Sequence, residues 1–161
     1  KVAAEHNATT CAEFKHNIAD ELPERLVFIN KSRVDLWTTY RLNGWAKKGA
    51  RATVSARFQH GQGYSILPAL TQNGVIYADV RQGAYDSASF IQFIQGLLPY
   101  MNPWPERHSV LVMDNCQIHH VDQVVCLSFR GIIVYYLPPY SPDLNPIEES
   151  FSFIKAHLQR N

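Results

Sequence analysis

Three short, uninterrupted apolar runs constrain this chain more than any other feature: Leu26-Val27-Phe28-Ile29, Val110-Leu111-Val112-Met113 and Ile132 to Leu137. Side chains alternate between the two faces of a strand, so a strand with no polar position has to be covered on both sides. Such strands sit inside a sheet with helices above and below it. The first two runs also stop abruptly at a polar residue, Asn30 and Asp114.

The segments between these runs fill in the architecture. Ala12, Phe14, Ile18 and Leu22 suggest a modestly amphipathic helix that Pro23 ends. Ala52 to Phe58, Tyr64 to Leu70 and Val75 to Val80 are strand-like and are divided by Gly61, Gly63 and the hairpin signal Asn73-Gly74. Phe90, Ile91, Ile94, Leu97 and Leu98 share a helical face, with Asp86 or Ser87 as the N-cap. A further helix through Val121, Val124, Val125 and Phe129 closes at Gly131, a natural C′ residue. Asn145-Pro146 makes a cap and first-turn pair for a last helix whose Ile147, Phe151, Ile154 and Leu158 lie together. The expected fold class is α/β: an antiparallel meander, then parallel strands, in one mixed sheet flanked by helices.

Composition bounds the rest. With 161 residues, 46% apolar and 18% charged, the chain makes one compact domain and can bury a core without disulfides or a structural metal. Cys11, Cys116 and Cys126 form no C-x-x-C pair, which suits a reducing compartment. The first residue is Lys1 and no secretory leader follows, so the expectation is a nuclear or cytoplasmic protein, not a secreted one. The uncharged stretch Ser87 to Pro105 is broken by polar residues and prolines and is no membrane span.

In open sheets of this kind, sites form at the carboxyl ends of the central strands. Asn30 and Asp114 stand there, and Glu148, one residue after Ile147, is turned about 100° from the core-facing position toward the rim. Two carboxylates close together raise each other's pKa unless a cation lies between them. Hard oxygen ligands suit magnesium or manganese. Taken singly, each has an ordinary alternative: an Asp after a strand forms turns, and a Glu in a first helical turn complements the helix dipole.

The wording around these residues is more specific. Val110-Leu111-Val112-Met113-Asp114-Asn115 with His119-His120, followed by Leu137-Pro138-Pro139-Tyr140-Ser141-Pro142-Asp143-Leu144-Asn145-Pro146-Ile147-Glu148, resembles the catalytic domain of mariner-like DDE transposases. Leu26 to Ile29, Gly44-Trp45-Ala46 with Gly49, and Leu97-Leu98-Pro99 extend the resemblance over nearly the whole chain. It implies a ribonuclease-H-like fold and three acids holding two divalent metals, which activate the attacking oxygen and stabilise the leaving one in phosphodiester cleavage. Thirty-three residues lie between Asp114 and Glu148, close to the family's spacing. By the resemblance, Asp114 and Glu148 are the catalytic and metal-holding acids, and His119 is an accessory residue. Glu149 is the rival to Glu148, which the Asn-Pro-Ile-Glu match favours. It further implies that residues 1–22 are a linker helix from an upstream DNA-binding region and that 23–161 form the DDE domain.

One position departs from the pattern. The family reads Asp-Glu-Ser after the first strand, whereas this chain reads Asn30-Lys31-Ser32. Two doubly charged ions about 4 Å apart repel by roughly 16 kcal/mol at an effective dielectric of 20, and a bridging carboxylate screens much of that. Asn30 is therefore a degenerate first acid, and magnesium or manganese binding is expected to be weakened. Asp35, five residues on, is a poor substitute because it lies past the strand end. Zinc is not expected, because Cys116, His119 and His120 lack a second ligand pair at the right spacing.

The net charge of +1 conceals two opposed regions. From Arg25 to Arg57 there are eight Lys or Arg against one acid, Asp35, a net of +7, while the rest has seven against thirteen, or −6. Arg33, Arg41, Lys47, Lys48 and Arg51 are the candidate nucleic-acid contacts, with double-stranded DNA as the expected partner. A homodimer is a candidate assembly. Two functions compete: an impaired DNA cleavage and strand-transfer domain, and a non-catalytic DNA-binding or protein-interaction module on the same scaffold.

Overall fold

The computed structural model describes residues 8–34, 45–53, 63–115, 127–128, 130–139 and 141–158. Arg41, Asp35, Cys116, His119, His120 and Cys126 lie outside the described residues, as do most of the expected strand Ala52 to Phe58 and the helix expected through Val121 to Phe129.

The apolar runs form the middle of one sheet. Strand β1 (Leu26–Ile29) pairs in parallel with β5 (Val110–Met113), which pairs in parallel with β6 (Ile133–Tyr136). On its other side β1 runs antiparallel to β3 (Tyr64–Thr71), and β3 forms a hairpin with β4 (Gly74–Gln82). A short β2 (Ser32–Val34) continues β1 along β3. Phe28 faces Leu70 and Ile29 faces Ala69, then Ser32 faces Ile66 in unchanged register. The interruption is Asn30-Lys31, which that register sets opposite Pro68 and Leu67. Proline has no N–H to contribute to a ladder. Counting β1 and β2 as one ribbon, the described order is β4, β3, β1/β2, β5, β6. Antiparallel meander first and parallel strands second is the expected arrangement, and the fold is ribonuclease-H-like.

Alternation along the central strands explains why their runs are unbroken. Val27, Ile29, Leu111 and Met113 join one core with Phe90, Phe93, Ile94 and Leu97 of helix α2 (Ser87–Leu97). Val110 and Val112 face the opposite way, against Phe14 of helix α1 (Ala8–Ala19), with Leu26, Phe28 and Ile18 packed around them. Each fully buried large side chain contributes about 1.5–3 kcal/mol. The structure corrects Ile132 to Leu137 as a strand buried on both faces: β6 is half-buried throughout, because it is the last strand of the described sheet.

Helix α2 starts where the sequence indicates, with the Asp86 carboxylate accepting from the Ser89 N–H at 2.8 Å. Its buried face includes Phe93, and Ile91 is only half-buried. Gly96 lets this helix approach the sheet, since a Cβ there would come within 2.6 Å of Tyr77 Cζ. The hairpin turn is Gln72-Asn73, one residue earlier than expected, and Gly74 opens β4 at φ +114°. Between β4 and α2, Asp79 Oδ2 accepts from Arg81 at 2.6 and 2.9 Å and from the Tyr85 hydroxyl at 2.8 Å. The Arg81 guanidinium also lies 4.6 Å from the Tyr85 ring centroid. Burial alone would raise the Asp79 carboxyl, but the hydrogen bonds from Tyr85 and Arg81 outweigh it and hold the group below its usual range. Burial, reinforced by Asp79, pushes the Tyr85 phenol well above its ordinary value.

Gly131 stands at φ +74°, where the sequence sets a C′ residue, and its N–H reaches the Ser128 carbonyl at 3.0 Å. The last helix, α3 (Ile147–Leu158), buries Ile147 and Phe151, but Ile154 is exposed, so its apolar face is narrower than expected. Among the described residues no helix is long and apolar enough to cross a membrane.

Candidate active site

The parallel register of β1 and β5 brings their carboxyl ends together. Leu26, Val27 and Phe28 pair with Val110, Leu111 and Val112, so two steps further the register aligns Asn30 with Asp114. Both residues line a cavity of about 450 Å³ whose other walls include Leu137, Pro138, Pro139, Ser141, Asn145 and Glu148. The three positions singled out from the sequence, Asn30, Asp114 and Glu148, therefore share one cleft although 118 residues separate the outer two. Glu149 is exposed and does not line it.

The segment leading into α3 explains how Glu148 comes to face this cleft. Pro142–Leu144 form one 3₁₀ turn, and the Asn145 N–H donates to the Pro142 carbonyl at 3.0 Å. Asn145 Oδ1 accepts from the Ile147 N–H at 3.3 Å, while the Asn145 carbonyl accepts from the Glu148 N–H at 3.2 Å. Pro146 has no N–H to satisfy. A Glu three residues after a capping Asn would ordinarily fold back onto the cap's N–H. Here the 3₁₀ turn already holds that N–H, which leaves the carboxylate of Glu148 for the cleft. Asn145 was legible in the sequence only as a cap. It also lines the cavity, and its Nδ2 is buried without an acceptor among the described residues.

Asn30 supplies the partner of Glu148. Its Nδ2 donates to Glu148 Oε1 at 2.5 Å, while its Oδ1 accepts from the Lys31 backbone N–H at 2.7 Å. The two neighbours are of opposite type, a carboxylate and an N–H, so only one orientation of the amide satisfies both. An aspartate here would set one carboxylate oxygen against another.

This donor set does not fit a two-cation centre. The amide oxygen is engaged by the backbone, the amide nitrogen points at the carboxylate that would ligate, and among the described residues no group of three or more His, Cys, Asp or Glu is placed to hold a metal. Lys31 and Arg33 are exposed beyond the cleft, the Arg33 guanidinium lying over Gly63. Lys47, Lys48 and Arg51 are exposed as well.

Residues 25–161 of this ribonuclease-H-like domain match the DDE superfamily endonuclease family. The chain belongs to that family. Among solved structures it is similar to the Mos1 mariner paired end complex with Mn, at a TM-score of 0.76 and 21% identity over 100% of this chain and 52% of that one. The pre-cleavage Mos1 transpososome gives a TM-score of 0.73 and 20% identity over 98% of this chain and 52% of that one. The isolated catalytic domain of Mos1 mariner transposase gives 0.68 and 18% over 100% and 77%. This chain spans about half the length of the Mos1 chains in those complexes. At such identities the likeness establishes the fold. No curated protein matches.

Proposed function

We propose that this is a DNA strand-cleavage and strand-transfer domain of transposase type, impaired in its chemistry by Asn30, with double-stranded DNA, both transposon ends and target, as its partner. The convergence of Asn30, Asp114 and Glu148 on one cleft carries the proposal. Asp114 and Glu148 are the catalytic acids in this reading, and Asn30 is the degenerate third position. His119 is the accessory residue. Solved relatives include paired-end complexes with Mn and with Mg, which supports DNA and a divalent ion as the ancestral requirements and a homodimer as the working assembly. The setting is nuclear or cytoplasmic, not secreted.

The residues present favour slow chemistry. In this reading Asp114 is the general base that takes a proton from an attacking water. A positioned general base contributes roughly 10²–10⁴-fold, far below the roughly 10⁶–10¹⁷-fold of efficient enzymes. The same hydrogen bond favours a second reading, a non-catalytic DNA-binding module in which exposed Lys31, Arg33, Lys47, Lys48 and Arg51, together with Arg41, meet phosphates.

A nicking assay with magnesium or manganese, comparing wild type with the Asn30→Asp, Lys31→Glu double variant, separates these readings. Weak or absent wild-type nicking and a clear gain in the variant are expected. Strong wild-type nicking refutes the impairment, and DNA binding with no gain in the variant favours the module.

A further inference from the structure

Where Asn30 meets Glu148, the cleft has a bond in the place its family gives to a cation, and we infer that this hydrogen bond is a latch that makes the site, and the DNA engagement of the domain, independent of divalent metal. The inference rests on reading the cleft as the ancestral catalytic centre. A DDE site gathers carboxylates that repel one another until a cation enters. In this chain Asn30 offers a neutral N–H to Glu148 Oε1 at 2.5 Å and anchors its own oxygen on the Lys31 N–H at 2.7 Å. Each end of the amide is matched, so the pair holds together without a cation between residues 30 and 148. The β1–β2 interruption makes this possible, because Asn30 and Lys31 are the two residues of the ribbon without strand pairing.

The distinction between a latch and a weakened metal site is measurable. Thermal denaturation of the chain is followed in EDTA and in excess Mn²⁺ for wild type, Asn30→Asp and Glu148→Gln. A glutamine at 148 still offers an oxygen to the Asn30 N–H but is a poor cation ligand. Wild type and Glu148→Gln are expected to melt within about 1 °C of each other in both conditions. Asn30→Asp is expected to melt lower in EDTA and to gain about 5–10 °C in Mn²⁺ when the ion is near a hundred times its dissociation constant. A wild-type Mn²⁺ response that Glu148→Gln abolishes overturns the latch, and so does an Asn30→Asp protein that folds but gains nothing from Mn²⁺. Should Asn30→Asp not fold, the comparison of wild type with Glu148→Gln still decides, supported by Mn²⁺ binding followed through paramagnetic resonance. DNA binding is scored separately in EDTA and in Mg²⁺: equal affinity supports the latch, metal-dependent affinity refutes it, and absent binding in both refutes the proposed function while leaving the melting result intact.

Discussion

Asn145 holds the first turn of the helix on which Glu148 stands: its side-chain oxygen accepts from the Ile147 N–H at 3.3 Å and its carbonyl from the Glu148 N–H at 3.2 Å. The local string Pro142-Asp143-Leu144-Asn145-Pro146 thereby handles the helix start by itself and leaves one carboxylate for the cleft. The fold and the chemistry meet at this point, and it is testable.

Asn145→Ala loses the cap, whereas Asn145→Ser keeps an oxygen for the Ile147 N–H, and both remove the buried Nδ2 that has no acceptor among the described residues. The serine variant is therefore expected to be more stable than the alanine variant by about 1 kcal/mol, or about 2–4 °C in melting temperature. Equal melting curves would show that the cap does not anchor α3.

Helix α1 is packed on the sheet through Phe14, which is buried against Val110, Val112 and Leu137. Phe14→Ala is expected to destabilise the domain by about 3–5 kcal/mol. Chemical denaturation measures this directly. A cost below about 1 kcal/mol, the scale of an ordinary surface change, would mean that α1 is a detachable linker.

The Asp79–Arg81–Tyr85 cluster ties stability to pH at both extremes. The Asp79 carboxyl titrates lower folded than unfolded, so its contribution is present above the unfolded value near 4 and is lost as pH falls through the folded one. The Tyr85 phenol titrates higher folded, so its contribution is complete below about 10 and is lost as pH rises through the folded value. In melting temperature against pH, Asp79→Asn should flatten the acid limb and Tyr85→Phe the alkaline limb. Unchanged limbs in both variants would remove the cluster from the account.

Lys47, Lys48 and Arg51 are all exposed. If they meet phosphates, each contact contributes about 0.9 to the slope of log affinity against log salt. Replacing all three with Gln should weaken duplex binding and flatten that slope by up to about 2.7, similarly across DNA sequences. A variant with the wild-type slope would place the DNA path elsewhere.

Central strands such as Val110 to Met113 were legible locally, because such a run leaves no polar face and has to lie between two layers. The sequence by itself also determined the helix starts at Asp86 and Asn145, whose capping depends on neighbours a few residues away. The three site positions were legible as strand ends and a first helical turn within a specific string. Tertiary structure alone decided which residues pair there. That Asn30 donates to Glu148, 118 residues further along the chain, rests on the β1–β5 register and on the 3₁₀ turn that holds the Asn145 N–H. Edge position likewise decided that β6 is only half-buried, since Ile133 to Tyr136 read like a central strand. Local rules act through bonds a few residues apart and therefore show in the sequence. The latch depends on where the folded chain returns, and there an asparagine that reads as a lost acid becomes the matched partner of a glutamate.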